Sequence, residues 1–228
     1  MIPRSQSRLR RTCAALVLLP TLLAVARVGK ASAEPVTHQF VGQITTITNG
    51  TGGLLDLTGV FTMGAAVTLD VTIERGTPPV PVDAYVTGYT DPITLIAFSI
   101  GSWSGGSAPT ISGATVTNNA PSPIKFPQTQ AVAYDQYSWN AQGVTAPTLG
   151  STTLQSMTST LDDVDGTVFD SGVIPRVFPD LSVFEGKTAT FLVFDFTQLK
   201  SGYVMATLSG VSTPAHATTW GGLKALYR

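Results

Sequence analysis

The chain of 228 residues carries 22 glycines, 15 prolines, one cysteine and two histidines, and only 12% of its positions are charged. These proportions exclude a coiled coil, a zinc-ribbon or disulfide scaffold, and most nucleic-acid binders. The formal net charge of −1 hides an asymmetry: Arg4, Arg8, Arg10, Arg11, Arg27 and Lys30 precede residue 31, whereas all 14 acidic residues follow residue 33.

Residues 1–33 read as a secretory signal peptide. Basic residues fill positions 1–11, an apolar stretch covers 13–26, and Ala31-Ser32-Ala33 matches the small-x-small pattern that signal peptidase cuts. The apolar stretch is broken by Pro20 and is shorter than the roughly 20 residues a bilayer span needs. Cleavage after Ala33 removes Cys13 and leaves 34–228 with seven basic and 14 acidic residues, a net charge of −7. A thiol-free exported domain draws its stability from a packed core and not from disulfides. The acidic balance argues against nucleic acid and anionic membranes as partners, and no transmembrane helix is expected after cleavage.

Past the signal, apolar residues recur with period two. A weak alternation at Phe40, Gly42, Ile44 and Thr46 comes first, then a candidate strand at 57–63. The clearest pattern follows, with Val67, Leu69, Val71 and Ile73 alternating with Thr68, Asp70, Thr72 and Glu74 as in a strand with one buried face. Further candidates lie at 84–89, 93–100, 110–117, 131–140, 152–161, 187–196 and 202–211, rich in Val, Ile, Thr, Phe and Tyr. Turn signals separate them: 49–53 (NGTGG), 76–79 (GTPP), 105–107 (GGS), 118–121 (NNAP) and Asp165-Gly166. About ten short strands of this kind predict an all-β fold, a single antiparallel β-sandwich or jelly roll over 34–212. The run 191–196 (FLVFDF), apolar on both alternations, calls for cover on both sides.

Residues 213–228 form a linker and a short tail. Thr219 is placed to cap a short helix with Trp220, Leu223 and Tyr227 on one face, and Lys224 and Arg228 near the negative end of its dipole. Gly221-Gly222 makes that helix marginal. The two readings are a frayed tail and a sorting or docking segment.

Several segments resemble one family. Residues 37–44 (THQFVGQI) resemble the F-x-G-x-[IV] opening strand of bacterial PEP-CTERM type exported proteins, the substrates of exosortase sorting. The likeness continues through 57–62 (LTGVFT), Leu161-Asp162-Asp163, 169–175 (FDSGVIP), 179–184 (PDLSVF) and 191–196. It implies a secreted β-sandwich of the bacterial envelope or extracellular matrix with no catalysis assigned. The last 15 residues hold no Pro-Glu-Pro and no apolar run, so exosortase processing is not implied.

Catalytic patterns are scarce. There is no H-E-x-x-H, C-x-x-C, G-x-S-x-G or Walker-type loop, and 101–105 (GSWSG) puts Trp103 where a nucleophile elbow needs serine. His38 and His216, the only histidines, sit beside no carboxylate in a strand-end cluster. Asp162, Asp163 and Asp165 crowd the turn at Gly166, and an oxygen-rich turn can take Ca²⁺. The competing reading is a hairpin turn whose aspartates accept from nearby backbone N–H groups. Tyr137, Trp139 and Trp103 offer a stacking platform for carbohydrate, against the favoured reading of large core residues. The composite expectation is a secreted, non-catalytic structural or adhesive protein, partnered by extracellular polysaccharide or other envelope proteins. A glycan-binding module with optional calcium is the alternative, and a secreted hydrolase comes third.

Overall fold

The computed structural model describes residues 35–121 and 133–212; the segment expected to be a signal peptide and the tail with Trp220, Leu223, Lys224, Tyr227 and Arg228 lie outside the described residues. Eleven antiparallel strands are described: β1 Val36–Ile47, β2 Ala66–Ile73, β3 Val80–Pro81, β4 Val86–Thr90, β5 Ile93–Ile100, β6 Trp103–Ser107, β7 Ile111–Pro121, β8 Ala133–Gln142, β9 Thr152–Asp163, β10 Gly186–Asp195 and β11 Lys200–Ser212. None of the described residues belongs to a helix long and apolar enough to cross a membrane.

All eleven belong to one sheet, in the order β3-β4-β7-β8-β9-β10-β11-β1-β2-β5-β6. The all-β expectation holds, and one continuous sheet takes the place of the two facing sheets of a sandwich. Chain connectivity explains why it cannot lie flat. Strands β4 and β5 sit near opposite edges, yet only Asp91 and Pro92 join them. Three Cα–Cα steps reach about 11 Å at most, so the edges must meet at one corner and the sheet curls into a half-barrel. Hydrogen bonds pin that corner: Asp91 N–H donates to Ser112 O (2.8 Å), and Ser112 N–H donates to Asp91 Oδ1 (2.8 Å). Irregularities in pairing at Val41/Gly42, Ile44/Thr46 and Leu192/Val193 supply bends. At Gly42 a Cβ would run into the Thr207 carbonyl of β11, so only glycine allows the approach there.

The concave face holds the core. Phe40, Ile44, Val67, Leu69, Val71, Ile73, Phe98, Phe191, Val193 and Val204 all point inward and are buried. Two long connections close over them. The β1–β2 connection contributes Leu55, Leu57 and Phe61, and the β9–β10 connection (164–185) contributes Phe169, Ile174, Phe178, Leu181 and Phe184. Cover therefore comes from loops. On the outer alternation of β10, Leu192 stays exposed, and beyond the strand so does Phe196, whose ring packs edge-on against Phe194 at 4.9 Å. The doubly apolar run 191–196 needed cover on one side only.

Candidate functional site

The three aromatic residues read as a carbohydrate platform are core residues. Tyr137 is 1% exposed, Trp139 2% and Trp103 7%. Alternation along β8 turns Tyr137 and Trp139 together toward the concave side, where Tyr137 meets Phe178 at 4.8 Å. Trp103 packs against Phe61 and Phe98 and donates from Nε1 to Pro147 O at 2.9 Å. No ring face is left for a sugar, which corrects the platform expectation for all three. Burial pushes the Tyr137 hydroxyl pKa upward, with nearby Tyr89 adding to the shift. Tyr137 Oη and Trp139 Nε1 are both buried without a hydrogen-bond partner.

The three clustered aspartates diverge. Asp163, at the end of β9, faces inward: its Oδ1 accepts from Asp165 N–H (3.0 Å), and its Oδ2 from Thr167 N–H (2.8 Å) and Val168 N–H (3.1 Å). Asp162 faces outward and accepts from Tyr134 Oη–H and Gln136 Nε2–H, both at 2.7 Å. Asp165 is exposed in the turn, which Gly166 completes at φ 64. These contacts match the turn reading, in which carboxylates hold backbone N–H groups. Among the described residues no three His, Cys, Asp or Glu side chains converge on one point.

Asp135, absent from the expected set, is wholly buried directly across from Asp163 on β8. Its Oδ1 accepts from Asn119 N–H (2.7 Å), while Oδ2 accepts from Val168 N–H (3.0 Å) and Phe169 N–H (2.7 Å). Val168 N–H is thus shared by two buried carboxylates. Together they anchor the start of the 164–185 connection, and the rings that follow close the core. Buried carboxylate oxygens are costly without donors, and here the donors are main-chain N–H groups.

His38 is a further buried polar group. It is fully enclosed on β1, edge-on to Phe178 at 4.6 Å. Burial first, then the nearby Arg75 cation, lowers its pKa from 6.5 to about 4, against the opposing pull of a hydrogen bond with the Pro175 backbone. The imidazole is therefore neutral at ordinary pH and placed to pack, not to serve as a base for an exposed nucleophile.

Two clefts open elsewhere. One, of about 280 Å³, lies between Arg75, two residues past β2, and residues 168–179 of the long connection. The other, of about 240 Å³, is lined by Val80, Val82, Gly88, Thr115, Ser138 and Asn140, among others. It adjoins a row of hydroxyls on the convex face, where register places Thr207, Thr188, Thr160, Ser138 and Thr115 side by side across β11, β10, β9, β8 and β7. At about 4.8 Å per strand the row extends roughly 19 Å. A second row places Thr190, Thr158 and Asn140 in register. Thr115 Oγ1 and Ser138 Oγ are hydrogen-bonded at 2.7 Å. The threonine content of the strands hinted at this coat, but its register depends on pairings no local pattern reveals.

The chain matches no family model, no curated protein and no solved structure.

Proposed function

We propose that the protein is an exported, non-catalytic β-sheet protein of the bacterial envelope or extracellular matrix, adhering to hydroxyl-rich polysaccharide through its convex face. The observation that carries this reading is the register-aligned row from Thr207 to Thr115, which runs into the cleft beneath Val80 and Val82. Hydroxyl and amide groups at strand spacing exchange hydrogen bonds with sugar hydroxyls, and the valines give C–H groups an apolar wall. Export is supported by the basic-apolar-small pattern of residues 1–33 and by the resemblance to the PEP-CTERM body. The buried acids and His38 are engaged in holding the chain, which favours a binding over a catalytic role.

Co-sedimentation of the protein with an insoluble neutral polysaccharide tests the reading. Asn140 and Thr158 are exposed on the convex face, so Asn140→Lys/Thr158→Lys should fold normally and lose retention about tenfold. Equal retention of the variant and the parent, or retention of neither, overturns the proposal.

A further inference from the structure

The cleft of about 280 Å³ between Arg75 and residues 168–179 has a composition unlike the rest of the domain. The described residues contain four basic side chains, Arg75, Arg176, Lys187 and Lys200, and both arginines line this cleft. Lys187 is committed elsewhere, donating to Leu181 O at 3.0 Å. Arg75 Nε is buried and makes no hydrogen bond. Arginine keeps its charge in any surroundings, and a planar guanidinium donates in the fork geometry that a carboxylate accepts. One acid, Asp170, also lines the cleft, leaving the two guanidiniums in excess. His38 beside Arg75 adds no charge, since its pKa is lowered to about 4.

The remaining walls are apolar or small. Val173 is 57% and Val177 69% exposed, and Pro175, Pro179 and Ser171 complete the rim. Exposed valines flanking paired cations suit a ligand with a carbon body and one anionic group. The volume sits just below the ~300–1,000 Å³ of typical small-molecule sites, so the cleft admits a single residue of a polymer.

We propose that this cleft is an acid-recognition subsite that takes one carboxylate-bearing sugar residue of an acidic polysaccharide between Arg75 and Arg176. The proposal rests on the polysaccharide reading above and adds its substrate class. Long-range repulsion from residues 34–228, of net charge −7, opposes any polyanion. At about 0.1 M salt the screening length is about 10 Å, which confines that repulsion while leaving short contacts inside the cleft.

Affinity electrophoresis at about 0.15 M salt, through gels containing polygalacturonate, dextran sulfate or neutral dextran, tests the assignment. Polygalacturonate should retard the protein more than dextran does. Arg176→Gln should weaken the polygalacturonate effect about tenfold and leave dextran retardation unchanged. Arg176 is exposed in the loop, so this variant should melt with the parent. Arg176→Lys, which keeps charge and loses the fork, should recover only part of the binding. Stronger retardation by dextran sulfate than by polygalacturonate, or an Arg176→Gln variant that binds polygalacturonate like the parent, overturns the carboxylate subsite. Dextran binding that persists in those cases leaves the convex-face reading standing; loss of all three interactions removes both.

Discussion

The two faces of the half-barrel solve opposite problems with the same strands. On the concave face the sheet meets aromatic rings and buried polar groups, among them Asp135, Asp163 and His38, which all bear on the 164–185 connection. On the convex face many side chains are short hydroxyls that bond one another laterally, as in the pairs Thr37 with Thr72, Thr68 with Ser99, and Thr115 with Ser138. Burial makes each polar group on the inner side costly to leave unpaired, whereas water replaces any partner lost outside. Stability should therefore depend steeply on the inner polar groups and weakly on the outer ones, although the outer ones are more numerous.

The steepest dependence is expected at Asp135. Replacing it with alanine strips the Asn119 and Phe169 N–H groups of their acceptor and leaves Val168 N–H with Asp163 alone. Each buried donor left unpaired costs roughly 1–3 kcal/mol, so Asp135→Ala should lower unfolding free energy by about 3–5 kcal/mol in urea titration. Asp135→Asn, which keeps one carbonyl oxygen, should cost clearly less. A loss under about 1 kcal/mol for Asp135→Ala would show that the connection is held by its apolar side chains alone.

That asymmetry was only half legible beforehand. The strand at Val67–Ile73 stood out because four buried and three polar residues alternate without a break, and the expected bounds Ile93 and Ile100 match β5 although its alternation breaks at Thr94-Leu95. Residues 57–63 carried a similar apolar spacing and belong to no strand. Val60 and Phe61 N–H both bond Leu57 O, a turn that carries Phe61 inward without any strand partner. Strand β6 was hidden by Gly105 and Gly106, read as a turn. A Cβ on either would come within 2.5–2.7 Å of a carbonyl oxygen of Thr145 or Ile96, so these glycines serve close approach. The candidate sites were least legible. Asp162, Asp163 and Asp165 are near in sequence but point apart, while Arg75 and Arg176 are distant in sequence and line one cleft. Sequence proximity measures shared chemistry only when the strand period puts residues on one face.

His38 sharpens the comparison through pH. Its folded pKa, lowered from 6.5 to about 4, means that the unfolded chain binds a proton in a range where the folded chain does not. Stability contributed by the neutral imidazole is present above pH 6.5 and is lost as pH falls from 6.5 toward 4, a total on the order of 3 kcal/mol. Asp56, Asp180 and Asp195 also have lowered pKa values, through hydrogen bonds from neighbouring backbone and side-chain groups, and their contribution is lost only below the carboxylate range near 3.8. Urea titrations at pH 7, 5.5 and 4.5 should show the decline in the parent and a much flatter profile in His38→Gln. Parallel profiles would place the acid sensitivity in other groups.

The smallest effect is expected on the convex face, and its smallness is the informative result. Thr160 lies between Ser138 and Thr188 in the hydroxyl row, half-buried, with its neighbours Ser159 and Leu161 turned inward. Thr160→Val keeps the β-branched shape that suits a strand and removes only a hydroxyl that water can reach. Its unfolding free energy should stay within about 0.5 kcal/mol of the parent. If the hydroxyl row were instead a structural ladder, each member relying on the next as Asp135 and Asp163 both hold Val168, Thr160→Val and Thr188→Val would each cost more than 1 kcal/mol, and the double variant would cost less than their sum. Additive, near-zero changes would mean that the outer hydroxyls are free of any structural duty, so that their alignment across five strands is available for binding.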